Sequence, residues 1–403
     1  MATSKSLSPE QAVDEYFDML IKSRFNEMFG IVDDPKVPFE QLGNIATYVN
    51  GYAFKPSDWG TEGLPIIRIQ NLSGSGDSFN YYSGEYPPAI EINKGDIMIS
   101  WSATLGVFVW DGPKALLNQH IFKVYFDKIG VNPTYFRVAV GPALERSASK
   151  VHGSTMTHLT KKTFDSIMVP LPSIDQQNEF ATFVEQVDKS KSLMKQCFQK
   201  YDQLVKSRFI EMIKTNNYPL KTIGESCITT RVGPFGSALH KTEMVPDGPV
   251  FVLGTDNAVD NEFKVYEERY ITSDKYSELE RYTVEPGDII ITMMGTIGRS
   301  AVIPNNFKTA IISSHLSCLS VDSSVVLPEY LQKCMVLDND VSKHLDSNKK
   351  GSIMNGLNLK IIKAIPFSCP PLEVQKKFLE FVKQVDKSKF ALLESMKRMM
   401  ESV

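Results

Sequence analysis

Three residues in the second half of the chain could hold a metal and cut a phosphodiester: Asp247 after Pro246, then Glu262 and Lys264 on either side of Phe263. They imitate the PD…ExK arrangement, in which two carboxylates bind Mg²⁺ and a lysine assists hydrolysis. The string is short, its residues are common, and the first half of the chain has no counterpart. A Mg²⁺-dependent nuclease using Asp247, Glu262 and Lys264 is therefore the enzyme-class alternative, established only if Mg²⁺-dependent cleavage of DNA is lost in Asp247→Ala. No GxGxxG loop for a methyl donor, no GxxxxGK[ST] and no HExxH occurs in the sequence. The six histidines, at 120, 152, 158, 240, 315 and 344, lack metal-ligand spacing. Among them His120 and His315 each follow a short apolar strand and read as structural. Neither a catalytic nor a metal-binding set emerges.

Chemistry suited to nucleic acid is better represented. Residues 146–162 (RSASKVHGSTMTHLTKK) carry Arg146, Lys150, Lys161 and Lys162, several hydroxyls and no acid. Residues 343–363 hold five lysines against the single acid Asp346. Gly153-Ser154-Thr155-Met156 of the first segment answers Gly351-Ser352-Ile353-Met354 of the second, where Lys349 and Lys350 stand just before the glycine. Backbone N–H groups, hydroxyls and cations of this kind bind phosphates. A solvated turn is the bland reading of one such loop, and its occurrence at equivalent places in both halves weighs against it. Candidate base readers are Arg68, Gln70 and Asn71, and Arg299. Thr104 and Thr296, in the matching turns TLG and TIG, complete the set.

The elements that position these residues are repeated. QVDKSK occurs at 186–191 and again at 384–389, within a nine-residue match of eight identities from Phe183 and Phe381. Pro172, Gln177 and Phe180 match Pro370, Gln375 and Phe378 at the same spacing. A second repeat, Lys22-Ser-Arg-Phe25, returns as Lys206-Ser-Arg-Phe209. The central stretch thus carries both motifs, whereas the outer copy is split between the chain ends, which must lie close together. Apolar residues at threes and fours, among them Phe180, Val184, Val187 and Phe209, predict a helix of roughly 60 Å opened by Pro172-Ser173. Phe378, Val382 and Val385 occupy the same seam in the C-terminal copy. Aspartate at both Val187 and Val385 should loosen the helix pair without unfolding the intervening domains.

The segments between the helices also correspond. Gly95-Asp-Ile-Met-Ile and Gly287-Asp-Ile-Ile-Ile each predict a turn and then a strand, while residues 64–71 and 248–255 predict another pair of buried strands. The organisation is an N-terminal helix (1–30), a first domain (31–172), a central helix (173–214), a second domain (215–371) and a C-terminal helix (372–403). The fold class is α+β: two mixed domains separated by two long, coiled-coil-like helices, pseudo-two-fold.

This order of features, with PLPSIDQQ or PPLEVQKK opening each helix and GTIG-like turns after a GDI strand, resembles the specificity subunit of type I restriction-modification systems over essentially the whole chain. The resemblance implies antiparallel helices that dock two methyltransferase subunits, and two target recognition domains that each read one half of a bipartite sequence in double-stranded DNA. It also implies restriction/translocase partners, with S-adenosylmethionine, ATP and Mg²⁺ bound by those partners and none by this chain. The family's loop after Gly-Ser commonly carries glutamine, where this chain has Met156 and Met354. Two readers on one face of B-DNA need centres roughly 34 to 36 Å apart, a distance a long helix can set.

Composition admits this reading and limits others. The chain of 403 residues, 42% hydrophobic and 23% charged, suits two or three ordinary domains. No run of eighteen apolar residues predicts a membrane span, and the first residues show no secretory signal. Five scattered cysteines suggest free thiols and a cytoplasmic setting. A net charge of −3 means that DNA binding must rest on local patches. A coiled-coil scaffold without a DNA role is the third alternative, favoured if no duplex is preferred over random competitor.

Overall fold

The computed structural model describes residues 9–31, 34–149, 160–235, 238–349 and 357–401. Three long helices run Pro9–Phe29, Ile174–Phe209 and Leu372–Glu401. The central one starts where the sequence predicts: Ser173 N donates to Gln176 Oε1 at 3.2 Å and Gln176 N returns to Ser173 Oγ at 3.4 Å, a reciprocal cap of the first turn. It ends in one wide turn, Ile210–Lys214.

The chain divides into two compact units, Phe17–Ser192 and Met1–Tyr16 with Leu193–Val403. The first holds eight principal strands: β1 Thr47–Asn50, β2 Leu64–Ile67, β3 Asn80–Tyr82, β4 Glu91–Ile92, β5 Ile97–Ser100, β6 Gly106–Val109, β7 Ala115–Leu117 and β8 Ile121–Tyr125. They form an antiparallel sheet β1-β8-β5-β6 and a mixed sheet β3-β2-β7-β4 in which only β2 and β7 run parallel. The second unit holds β9 Cys227–Val232, β10 Val250–Leu253, β11 Tyr270–Ile271, β12 Thr283–Val284, β13 Ile289–Thr292, β14 Ser300–Val302, β15 Ala310–Ile312 and β16 Leu316–Val321. Its sheets are β9-β16-β13-β14 and β11-β10-β15-β12. Adding eight to each label of the first unit gives the second, including the single parallel pair, β10 with β15.

The predicted turn-strand units are present. Gly95 (φ +93°) and Gly287 (φ +85°) take the left-handed backbone that glycine tolerates, and β5 and β13 follow, buried at every residue. One prediction needs correcting: β2 ends at Ile67, and Ile69–Ser73 is a short helix. The turn arises because Arg68 N donates to Asn71 Oδ1 at 3.0 Å. Gly254 N does the same to Asn257 Oδ1 at 2.8 Å after β10.

The split repeat closes inside each unit. In the first, Phe25 of the N-terminal helix meets Phe180 of the central helix edge-on with centroids 5.5 Å apart, Lys191 pairs with Asp18 at 2.9 Å, and Arg24 lies 6.0 Å from the Phe183 ring. In the second, Phe209 of the central helix meets Phe378 of the C-terminal helix at 5.6 Å, Lys389 pairs with Asp202, and Arg208 lies 5.6 Å from Phe381. These partners run in opposite order along the chain, so each pair is antiparallel. Each KSRF copy therefore packs on a helix that carries a QVDKSK copy. Pro9 and Glu10, at the start of the N-terminal helix, line one cavity with Lys389 of the C-terminal helix.

The helix seams are not separate from the domain cores. Val187 and Val385 are buried, but Phe378, Val382 and Val385 belong to one apolar cluster with Tyr330, Leu331 and Val205, and Phe180 and Val184 to another with Tyr135 and Phe164. Equivalent polar clasps lock both. Tyr135 Oη donates to the Pro170 carbonyl and Tyr330 Oη to that of Ser368, each at 2.8 Å, while Gln177 accepts from Asn132 N and Gln375 from Leu327 N. Val385 thus packs on residues of the second domain as well as in the helix seam, so aspartate there would disturb both.

Candidate nucleic-acid interface

In each domain three connections at one end of the antiparallel sheet are tied together by backbone hydrogen bonds. In the first they are the residues after β1, the β5–β6 turn (101–105) and the β7–β8 connection (118–120). Gly51 N donates to Ile121 O at 3.0 Å, Tyr52 N to Leu117 O at 2.8 Å, and Trp101 N to His120 O at 3.2 Å. The Trp101 indole N–H reaches Asn50 Oδ1 at 3.2 Å, and its ring lies edge-on to His120 at 4.9 Å. In the second domain Gly233 N donates to Leu316 O at 3.1 Å and Met293 N to His315 O at 2.8 Å. His120 and His315 therefore occupy the same place in the two domains, as their sequence context suggests. The glycines are required: a Cβ on Gly51 would collide with the Asn118 carbonyl oxygen, and one on Gly233 with that of Ser313.

Thr104 and Thr296 are exposed in these ends, in the β5–β6 turn and in its counterpart between β13 and β14. Gly295 (φ +71°) and Gly298 (φ +83°) shape the second turn, and Leu345 of the helix Asn339–Lys349 packs beneath Gly298. Leu357 N, on the far side of the second basic segment, donates to Met293 O at 2.9 Å. The basic segment thus leaves and rejoins the domain beside the Thr296 turn. Lys349 is the last residue of its helix. Lys150, Gly153, Ser154, Thr155 and Met156, and likewise Lys350, Gly351, Ser352 and Met354, lie outside the described residues, as does the side chain of Lys349. Arg146 is exposed in the last turn of the helix Pro133–Ser149 and borders an apolar cavity of about 520 Å³ with Phe25, Val138 and Pro142.

The other candidate base readers have local partners. Asn71 accepts from Arg68 N and donates through its amide to the carbonyls of Gly76 (3.2 Å) and Ser78 (2.9 Å), so both of its N–H donors are engaged by the loop. Asn257 repeats this role, donating to Lys264 O at 2.7 Å. Asn71 thus staples its own loop. Gln70 is half-buried and packs on Gly76, and Arg68 lies 5.4 Å from the Trp59 ring. Arg299 is exposed and anchored by its backbone to Thr292 Oγ1 at 3.0 Å. It shares a cavity of about 360 Å³ with Asp260, Glu262, Lys264 and Lys389.

The nuclease-like residues do not converge as a metal site. Lys264 places its ammonium 3.1 Å from Asp260 and 3.6 Å from Glu262. Burial opposes its charge, but the hydrogen bond to Asp260 and the neighbouring acids hold its pKa above the usual lysine value. A lysine so held does not accept a proton. Asp247 is exposed and does not line that cavity. Among the described residues no group of three or more His, Cys, Asp or Glu side chains could hold a metal ion, and no helix is long and apolar enough to cross a membrane. All five cysteines are free.

Sequence reasoning passed over two residues at these ends. Tyr52 is 43% exposed and Phe235 80% exposed, each just beyond its domain's obligatory glycine. The signal was the pairing of Asn50-Gly51-Tyr52 with Val232-Gly233-Pro234-Phe235.

Several known proteins are similar to this chain. The family described as Type I restriction modification DNA specificity domain matches residues 36–200 and 247–399. The type I restriction enzyme EcoBI specificity subunit of Escherichia coli is 24% identical over 410 aligned positions, covering 94% of this chain and 84% of that protein. The MjaVIII specificity subunit of Methanocaldococcus jannaschii is 23% identical over 172 residues, 41% of this chain and 39% of the relative. A solved structure described in work on complex assembly and conformational transition of the type I R-M system shares the fold, with a TM-score of 0.55, 16% identity, and coverage of 91% of this chain and 95% of the other.

Proposed function

Because the chain belongs to the type I restriction-modification DNA specificity family, we infer that each of its two recognition domains reads one half of a bipartite, asymmetric DNA target through the loop end just described. The chain is a DNA specificity subunit with two recognition domains. The observation that carries it is the duplication itself. The two domains share the pairing order of their eight principal strands, and both ends carry a threonine (Thr104, Thr296) and a histidine (His120, His315), yet the first adds Tyr52 and has Val107 where the second has Arg299, and the second adds Phe235. Equal frameworks with unequal tips suit a target whose half-sites differ.

Arg146, Lys150, Lys349 and Lys350, with the Gly-Ser pairs at 153–154 and 351–352, hold phosphates, while sequence is read by the loop ends and by DNA shape. The exposed apolar residues of the helices, Met19, Leu193, Leu204 and Phe390, supply contacts for two methyltransferase subunits, which in turn bring restriction/translocase subunits. The chain is a non-catalytic cytoplasmic component. S-adenosylmethionine, ATP and Mg²⁺ act on the partner chains. Methylome sequencing of cells with and without this protein should show loss of one bipartite methylated motif; an unchanged methylome would reject the reading. Lys349→Gln and Lys350→Gln should each lower the salt slope of the complex's DNA affinity by about 1, with no change in sequence preference.

A further inference from the structure

We infer that Phe235 is a specificity-determining residue that makes an apolar contact with a base in the half-site read by the second domain, with Tyr52, one residue beyond the matching glycine, serving the same end of the first; this rests on the specificity-subunit reading. At 80% exposure, Phe235 is the most exposed large hydrophobic side chain among the described residues. A phenyl ring left in water forgoes the burial that folding would otherwise give it, so its position calls for a partner surface.

Its placement is fixed by the fold. Gly233 is pinned by the hydrogen bond to Leu316 O and by the Ser313 carbonyl, which excludes any side chain at 233. Pro234 restricts the next backbone angle, and the Phe235 carbonyl accepts from Ala238 N at 2.8 Å. The ring is therefore carried on a constrained turn, bonded through Leu316 to the strand that begins beside His315. His315 in turn is bonded to Met293, where the Thr296 turn begins and the basic segment rejoins the domain.

The first domain carries a ring at the same end in a different way, one residue after the glycine and without a proline. Gly51 is closed by the Asn118 carbonyl, and Tyr52 exchanges backbone hydrogen bonds with Leu117 O (2.8 Å) and Gln119 N (2.9 Å). Its ring lies edge-on to Phe54 at 5.0 Å and remains 43% exposed. A ring held at such a loop end can touch a thymine methyl in the major groove or press between two base pairs. Both are apolar contacts with bases, and both confer sequence preference.

The test uses the complete complex with its methyltransferase and a panel of targets bearing single base-pair changes. Phe235→Ala should reduce discrimination roughly tenfold at one or two positions of one half-site, and Tyr52→Ala should do so only in the other. Uracil in place of thymine at the affected positions separates the two contacts: wild type loses the same discrimination if a methyl is read, and loses none if the ring wedges between base pairs. Ile228→Ala, likewise apolar and 70% exposed, near the start of β9, the strand that leads to Phe235, should change nothing. Methylation by Phe235→Ala with wild-type rates and preferences, or with a uniform loss across both half-sites, overturns the inference. A wild-type complex without sequence preference would instead overturn the specificity-subunit reading on which it rests.

Discussion

The two recognition domains keep the same turn aspartate, half-buried in the first and buried in the second, and neutralise it in different ways. Asp96 and Asp288 follow the turn glycines and accept from Asn93 N (2.7 Å) and Glu285 N (2.9 Å). In the first domain the cation is Lys123, in β8, 2.7 Å from Asp96. In the second the matching residue of β16 is Cys318, whose thiol burial pushes up to about 12, and the cation comes from the neighbouring strand as Arg231, which also reaches Ser320 at 3.1 Å. Charge balance at the turn is retained while the residue and strand supplying it change, because a desolvated carboxylate without a cation is far costlier than a change of partner. The two domains can thus diverge in sequence and keep one topology.

The largest effects should fall on what the domains share. Phe180→Ala and Phe378→Ala empty equivalent, fully buried sites and should each cost about 3–5 kcal/mol in denaturant unfolding. A large inequality between them would break the equivalence of the helices. The domain-specific cations come next. Arg231→Leu strands Asp288, whose side chain is 5% exposed, and should cost about 3 kcal/mol, whereas Lys123→Leu leaves Asp96 at 29% exposure and should cost about 1–2 kcal/mol. Adding Cys318→Lys to Arg231→Leu transplants the first domain's arrangement and should recover most of the loss. Failure to recover would show that the two solutions are not interchangeable. Asn257→Ala should cost about 2 kcal/mol and the less buried Asn71→Ala about 1 kcal/mol, with DNA sequence preference unchanged in the latter.

Much of this framework was legible because it depends on periodicity and repetition. The Gly-Asp turns require a left-handed glycine before a buried strand, and the helices announce themselves by apolar spacing and by Ser173. The divided outer repeat also told that the N-terminal and C-terminal helices each pack on the central one. What escaped was decided by contacts between distant residues. Asn71 looks like a base reader in sequence, but the loop closes around its amide; Val385 looks like a seam residue, yet Tyr330 and Leu331, far away in the chain, join it in one core. Phe235 escaped because exposure of an aromatic ring is set by what does not pack on it, which one sequence does not display.

The finest comparison lies within QVDKSK, where the same acid meets two surroundings. Asp188 pairs with Arg137 at 2.9 Å. Asp386, although exposed at the surface, is crowded enough that desolvation raises its carboxyl above the usual value, against the smaller pull of Lys333 and Lys389. Asp188→Asn should therefore destabilise by a few tenths of a kcal/mol at pH 7, as expected of an exposed ion pair. Asp386→Asn should stabilise by a similarly small amount. The sign has a pH signature: a carboxyl with a raised folded-state pKa makes the folded protein bind more protons than the unfolded one, so wild-type stability falls as pH rises from about 3.8 through the raised value. The gain in Asp386→Asn should be absent below that window, grow across it and stay constant above. Denaturant titrations of both variants from pH 3.5 to 7 measure this, and shifts of the same sign at pH 7 would mean that the two copies of the motif share one environment after all.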